Sequence, residues 1–157
     1  MGTVKRTNPA FADNLLDRMK EVASKEVACG YPRGINDPGY PDGESVIDVA
    51  VKNCFGIGVP VRDFMTLGKQ LIDGDHIIKE CMAQIAKAAA ENQPAIIAAQ
   101  QKAAGERAAD LIKEAIQTGD WTPNSEETKR RKGSEQPLID SRNMLNSATY
   151  VVREKTT

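Results

Sequence analysis

The side chains able to do chemistry are few. The single histidine, His76, ends the tetrapeptide Asp73-Gly74-Asp75-His76. Two carboxylates beside an imidazole could hold a metal ion or act as an acid–base pair. A helix start explains the same residues without a ligand, because Asp is favoured at the positive end of the helix dipole. The helix start is the preferred reading. The three cysteines, Cys29, Cys54 and Cys81, stand apart, with no CxxC pair and no second histidine. A structural zinc site needs four ligands at short spacing, so free, mostly buried thiols in a reducing cytosol are expected. The stretches Cys29–Gly34 and Asn53–Gly58 have neither the Lys-Ser/Thr of a phosphate loop nor a GxGxxG spacing. No Ser-His-Asp or Cys-His arrangement is open to one histidine standing next to acids. The sequence thus predicts a protein that is not an enzyme and that uses no metal and no cofactor.

Lys129, Arg130, Arg131 and Lys132 form a run of adjacent cations. Such a run can neutralise several phosphates and bind nucleic acid in a salt-dependent, sequence-blind way. Glu126, Glu127 and Glu135 flank it, however, and no aromatic residue is interleaved for base stacking. Over the whole chain 21 basic residues meet 22 acidic ones, without the basic excess of an autonomous DNA-binding domain. The run is therefore either a solvated helix end or a patch facing confined DNA inside a larger assembly. The N-terminus lacks an apolar signal region, and Arg6 breaks the myristoylation pattern. No apolar run approaches the roughly 20 residues that span a bilayer. A protein made and kept in the cytosol, unless it leaves as part of a particle, and with no membrane partner is expected.

These residues must be positioned by 157 residues, enough for one domain (1–157) with a modest core. Hydrophobic residues make up 40% and aromatics 4%, which points to a core of Ala, Ile, Leu and Val between closely packed helices. Asn8 can cap and Pro9 can open a first helix, with Phe11, Leu15, Met19 and Val22 on one apolar face and an end near Lys25. Val27–Tyr31 reads as a short strand. Residues 32–45 are dense in Pro, Gly, Asp and Asn. Loops of this length inside compact domains usually have a task, so this one either lies against a neighbouring subunit or is a mobile excursion. Val46 to Gly56 suits a helix capped by Ser45, although its β-branched content would also allow a strand.

Beyond Asp75, residues Ile78, Cys81, Met82, Ile85 and Ala89 form an apolar stripe. Pro94 divides the region into two helices or kinks one. The second piece runs to about Thr118, with Gly119 as its C′ residue, a rod of roughly 37 Å. Its Ala-rich first half allows close helix approach within the fold or between subunits. Segment 120–157 adds short helices and a strand. Asn124 with Glu127 fits a capping box for a helix that stops at Gly133. Asp140 or Ser141 can cap another short helix, and residues 148–154 form the strand, with Thr149, Val151 and Arg153 on one face. The predicted fold class is α+β: a small antiparallel sheet packed against two long helices, with an N-terminal helix and a long Pro/Gly-rich loop.

The order of these motifs resembles a family. Tyr40–Met65 (YPDGESVIDVAVKNCFGIGVPVRDFM), the long helical stretch, Trp121–Ser141 (WTPNSEETKRRKGSEQPLIDS) and the closing NMLNSATYVV are similar to the tail-completion, or head–tail joining, proteins of long-tailed bacteriophages. These are the minor-tail-Z-like proteins of lambda-type phages and Mu-like prophages. In that family a YPDG step leads to A-x-x-N-E-F-G, then to P-x-R-P-F, and near the C-terminus to P-N-S-x-x-T-x-x-R-K-G-S-x-x-P-L-I-D-T-G. The resemblance covers most of the chain from Tyr40 onward. It rests on the order and spacing of motifs that are individually short. Cys54 stands where the family has Glu, Asp63 where it has its second Pro, and Ser141-Arg142 where it has Thr-Gly. Without that Gly, the turn after Asp140 cannot rely on a left-handed residue.

The resemblance implies a structural protein of the virion neck or tail top. It implies a homo-oligomeric ring, with a hexamer as the family expectation, set between the head-side connector or stopper and the tail terminator and tail tube. Interface candidates on this view are Tyr40, Phe55, Gly56, Val61, Arg62, Phe64, Met65, Pro137, Leu138, Ile139 and Asp140. Phe55, Gly56, Val61, Phe64 and Met65 would form a packing hinge, with Pro137–Ile139 tucked under it; an ordinary core role stays open for each. Lys129, Arg130, Arg131 and Lys132 would be the contacts to DNA in the channel. The alternative is a small nucleic-acid-binding protein acting through the same four cations.

Overall fold

In a computed structural model of the chain, which describes residues 8–132, 135–139 and 142–155, helices begin where the sequence supplies caps. In α1 (Pro9–Ala23), Asn8 Oδ1 accepts from the Ala10 N–H at 3.1 Å. Strand β1 (Lys25–Gly30) follows at once. Helix α2 (Val46–Phe55) opens with a reciprocal capping box between Ser45 and Asp48 and closes on Gly56 at φ 70°, so the strand alternative does not occur. Asp63 caps α3 (Phe64–Gly74), and Asp75 caps α4 (His76–Ala90). Glu91 to Gln93 separate α4 from α5 (Pro94–Thr118), giving two helices and no kinked rod. Short helices α6 (Glu126–Lys132) and α7 (Asn143–Ser147) precede β2 (Thr149–Glu154).

Helix α5 is the spine. Both α3 and α4 pack along it, and both strands lie on it. The antiparallel register pairs Cys29 with Tyr150 and Val27 with Val152, so these four share one face of the sheet. Phe64, fully buried, centres a core with Val46, Ile112, Ile116 and Met144. Its ring meets Tyr31 edge-on, centroids 6.2 Å apart. Between α4 and α5 the contact is built from small residues, with Cys81, Ala88 and Ala89 on one helix and Ala104 and Ala108 on the other, all buried. At the sheet, a β-carbon on Gly105 would lie 2.2 Å from Tyr150 Cδ2. In an open helix Gly→Ala gains about 1 kcal/mol. Here the ring has no room, and overpacking of this kind costs about 1–3 kcal/mol. Gly105→Ala is therefore expected to destabilise the chain in urea unfolding, and to stabilise it by about 1 kcal/mol in a Tyr150→Ala background.

Several expectations change. Among the described residues the sheet has two strands, and α5 alone packs substantially on both; α4 covers the opposite flank of α5. Helix α1 ends at Ala23, one turn's fraction short of Lys25, and β1 starts two residues earlier than expected. Phe11 and Met19 are largely exposed, because α1 packs only on α4 and lightly on β1. Met82 is exposed too; it lies beside, and not on, the buried line of Cys81, Ile85 and Ala89. Gly119 is extended (φ −66°, ψ 145°), not left-handed. A β-carbon there would strike the Trp121 indole at 2.1 Å, and that indole donates to the Ile116 carbonyl at 3.0 Å. Ser125, not Asn124, caps α6, its Oγ accepting from the Thr128 N–H at 3.2 Å. Gly133, Asp140 and Ser141 lie outside the described residues. Arg142 does adopt the left-handed conformation, at φ 58°, so the turn into α7 keeps that geometry without glycine.

The long loop carries anchors within its own chain. Asn36 Nδ2 donates to the Asn146 carbonyl and Asn143 Nδ2 to the Gly39 carbonyl, both at 3.0 Å. The Tyr31 hydroxyl donates to the Met144 carbonyl at 2.9 Å. Asp37 Oδ1 accepts from the Gly39 and Val46 N–H groups. These bonds fasten the loop to α7 and to the start of α2 within one chain.

Candidate functional site

Segments distant in sequence meet around one open groove of about 1090 Å³. Its walls are the Tyr40–Glu44 turn, one face of α2, the Ile57–Arg62 crossing, and the stretch from Asn124 into α6 as far as Arg131. Arg62 forms its floor and is only 5% exposed. Its Nε donates to the Thr122 carbonyl at 2.9 Å and one terminal nitrogen to Asn124 Oδ1 at 3.0 Å. The other terminal nitrogen reaches Asn53 Oδ1 at 3.4 Å. The Arg62 N–H also donates to the Asn53 carbonyl at 2.8 Å. All of these acceptors are neutral, and burial lowers the pKa of the guanidinium. Arg62 thus pins α2, the crossing and the segment before α6 into one unit. The crossing can approach α2 because Gly56 takes a positive φ; a β-carbon there would sit 2.6 Å from Val61 Cγ2.

The interface candidates divide. Phe64 and Leu138 belong to the buried core, and Arg62 is consumed by its own bonds, so all three hold the site's shape and present no surface. Met65, Tyr40, Pro137 and Ile139 are half-buried, with Met65, Tyr40 and Ile139 packed against the core. The hinge expected from Phe55, Gly56, Val61, Phe64 and Met65 is accordingly split between core and surface. Phe55 is 74% exposed, and Val51, Ile57, Val59 and Val61 are exposed with it. Of these, Ile57 and Val59 line the groove, and Val51, Ile57 and Val59 were not among the sequence's interface candidates. Asp140 lies outside the described residues.

The cations divide as well. Lys129 is drawn to Glu126 at 2.7 Å, which raises its pKa. Arg130 and Arg131 are exposed and form no ion pair with the described residues, and Arg131 lines the groove. Lys132 ends α6. Lys52, also in the groove, pairs with Glu44, its hydrogen bond to that carboxylate raising its pKa.

The Asp73–His76 cluster is structural. Asp73 pairs with Lys69, and His76 is exposed. Asp75 caps α4 and accepts from Arg107 Nε and a terminal nitrogen at 3.0 and 2.8 Å. Arg107, and after it the Ile78 N–H, hold the Asp75 carboxyl below the usual carboxylate range. A lowered folded-state pKa adds stability that is complete above the unfolded value of about 3.9 and is lost as pH falls through the folded value. Thermal melts are expected to show a smaller drop between about pH 5 and pH 3 for Asp75→Asn than for the parent chain.

Among the described residues no group of three or more His, Cys, Asp or Glu side chains is placed to hold a metal ion. Cys81 is buried and Cys29 and Cys54 are half-buried free thiols; burial pushes the Cys29 and Cys54 thiols up. The carboxylate of Asp63, another residue that departs from the phage motifs, raises the Cys54 thiol further. Among the described residues no helix is long and apolar enough to cross a membrane. No family model matches the chain, and no curated protein and no solved structure matches it either.

Proposed function

We infer that the chain is a structural subunit of a tailed-bacteriophage virion, a tail-completion protein of the neck or tail top. In this reading it forms a homo-oligomeric ring, a hexamer by family expectation, that joins the head connector to the tail tube and works through contact alone. One observation carries the reading. The phage-like motifs, Tyr40–Met65 and Trp121–Ser141, are about 60 residues apart at Arg62 and Asn124, yet they supply the floor and walls of a single groove. Ile57 and Val59 line it as exposed apolar residues, and Val51, Phe55 and Val61 are exposed in the same stretch of chain. Monomers seldom leave such a patch uncovered. Disrupting the gene in the phage or prophage that encodes it tests the reading: filled heads and finished tails should accumulate unjoined. Normal yields of infectious particles would overturn it.

The second reading, a small nucleic-acid-binding protein, is favoured by Arg130 and Arg131, exposed cations with no ion-pair partner among the described residues. It requires duplex binding that weakens with salt and with replacement of residues 129–132 by alanine. Absence of binding at low salt rules it out.

A further inference from the structure

We propose that the cleft between the end of α1 and the start of α5 is a binding site for a small carboxylate on a short aliphatic stem. The cleft holds about 120 Å³, room for about four water molecules. It shares no lining residue with the groove described above and stands independently of the neck reading. Two helices wall it with matching stripes. Arg18, Glu21 and Val22 share one face of α1, with Lys25 just beyond, and Pro94, Ile97, Ala98 and Gln101 share one face of α5.

Two polar side chains lining it call for a ligand. Gln101 is only 9% exposed, and its amide has no hydrogen-bond partner among the described residues. The Arg18 Nε is closed to solvent and likewise has no acceptor among them. Buried polar groups nearly always have a partner, and a buried donor left without one costs stability. A small turn of the Arg18 side chain lets one carboxylate take Nε and a terminal nitrogen together, the forked pairing that arginine favours. The Gln101 amide can donate to the same group.

The charges facing the cleft agree. Arg18 and Lys25 line it as cations, and Glu21 is the one acid among the described lining residues. Glu21 is mostly exposed and reaches Lys25 only at 3.8 Å, so a single further negative charge balances the site. Helix α5 opens there at Pro94 without a side-chain cap, and its first turn adds partial positive charge. The α4 carbonyls at the same turn are already used: those of Lys87, Ala88 and Ala89 accept from the Glu91, Gln93 and Asn92 N–H groups. Val22, Pro94, Ile97 and Ala98 add apolar wall, which suits an aliphatic stem.

The test titrates the isotope-labelled full-length chain with sodium propionate at constant ionic strength, following the Gln101 side-chain amide and the backbone amides of 95–101 by NMR. Saturable shifts confined to the cleft are expected, with a dissociation constant on the order of 1 mM, as suits a ligand of so few atoms. Propionamide, neutral and of the same shape, should give none. Formate, which has the charge but no stem, should bind about fourfold more weakly or worse, since one buried methylene is worth about that factor. Arg18→Gln should weaken propionate binding about tenfold or more. Gln101→Met, which keeps the volume and removes the amide, should also weaken it, and melting curves verify that each variant folds. Four results would overturn the proposal: no saturable shift with propionate, an equal response to propionamide, equal affinity for formate, or unchanged affinity in a folded Arg18→Gln or Gln101→Met chain. The neck reading is untouched by any of them.

Discussion

Phe64→Ala should destabilise the chain by about 3–5 kcal/mol in urea unfolding, the range for truncating a large buried aromatic. Phe64 has no exposed surface, and its ring bridges α5, at Ile112 and Ile116, to the Tyr31 ring and α7. Removing it opens a void that none of these elements can close without breaking a cap or a loop anchor. Phe55→Ala is the internal control. Only nine residues away but 74% exposed, it should change stability by less than about 0.5 kcal/mol. Equal effects at the two positions would contradict the division into core and surface.

Arg62→Ala should cost about 3 kcal/mol and act locally as well as globally. Hydrogen bonds from a charged donor are worth about 1.5–3 kcal/mol each, and deleting the donor leaves its acceptors without that partner. Those acceptors are the Thr122 carbonyl, Asn124 Oδ1 and Asn53 Oδ1. The bonds to Thr122 and Asn124 tie segment 122–132 to the crossing, so hydrogen exchange there should quicken more than in α5. Arg62→Lys should rescue little, because one ammonium cannot reach three acceptors in different directions. Unchanged exchange in α6 would show that the segment is held by something else.

Local signals were legible. Asn8, Ser45 and Asp75 all cap helices, and capping depends on residues only a few positions apart. Pro94 and the 3.6-residue pattern were enough to place α5. The misreadings came from partners far away in sequence. Gly119 looked like a left-handed C′ residue because the indole packed against it could not be foreseen. Arg62 looked like a surface residue, as arginines mostly are, because its acceptors lie on two other segments. The loop at 32–45 looked unsupported because its anchors, Asn143, Asn146 and Met144, come more than a hundred residues later. The apolar face of α1 looked like core because periodicity gives the direction of a face, not whether anything covers it. One usable signal was present: Asn53, Arg62 and Asn124 each fall inside a phage-like motif, and they meet at the groove floor.

Quantitative mass spectrometry of purified virions, with the chain counted against the tail-tube subunit and localised by labelling, tests most directly whether this polypeptide is a neck component. A handful of copies per particle, confined to the head–tail junction, is the predicted result. Hundreds of copies along the tail or over the capsid, or none at all, would contradict it.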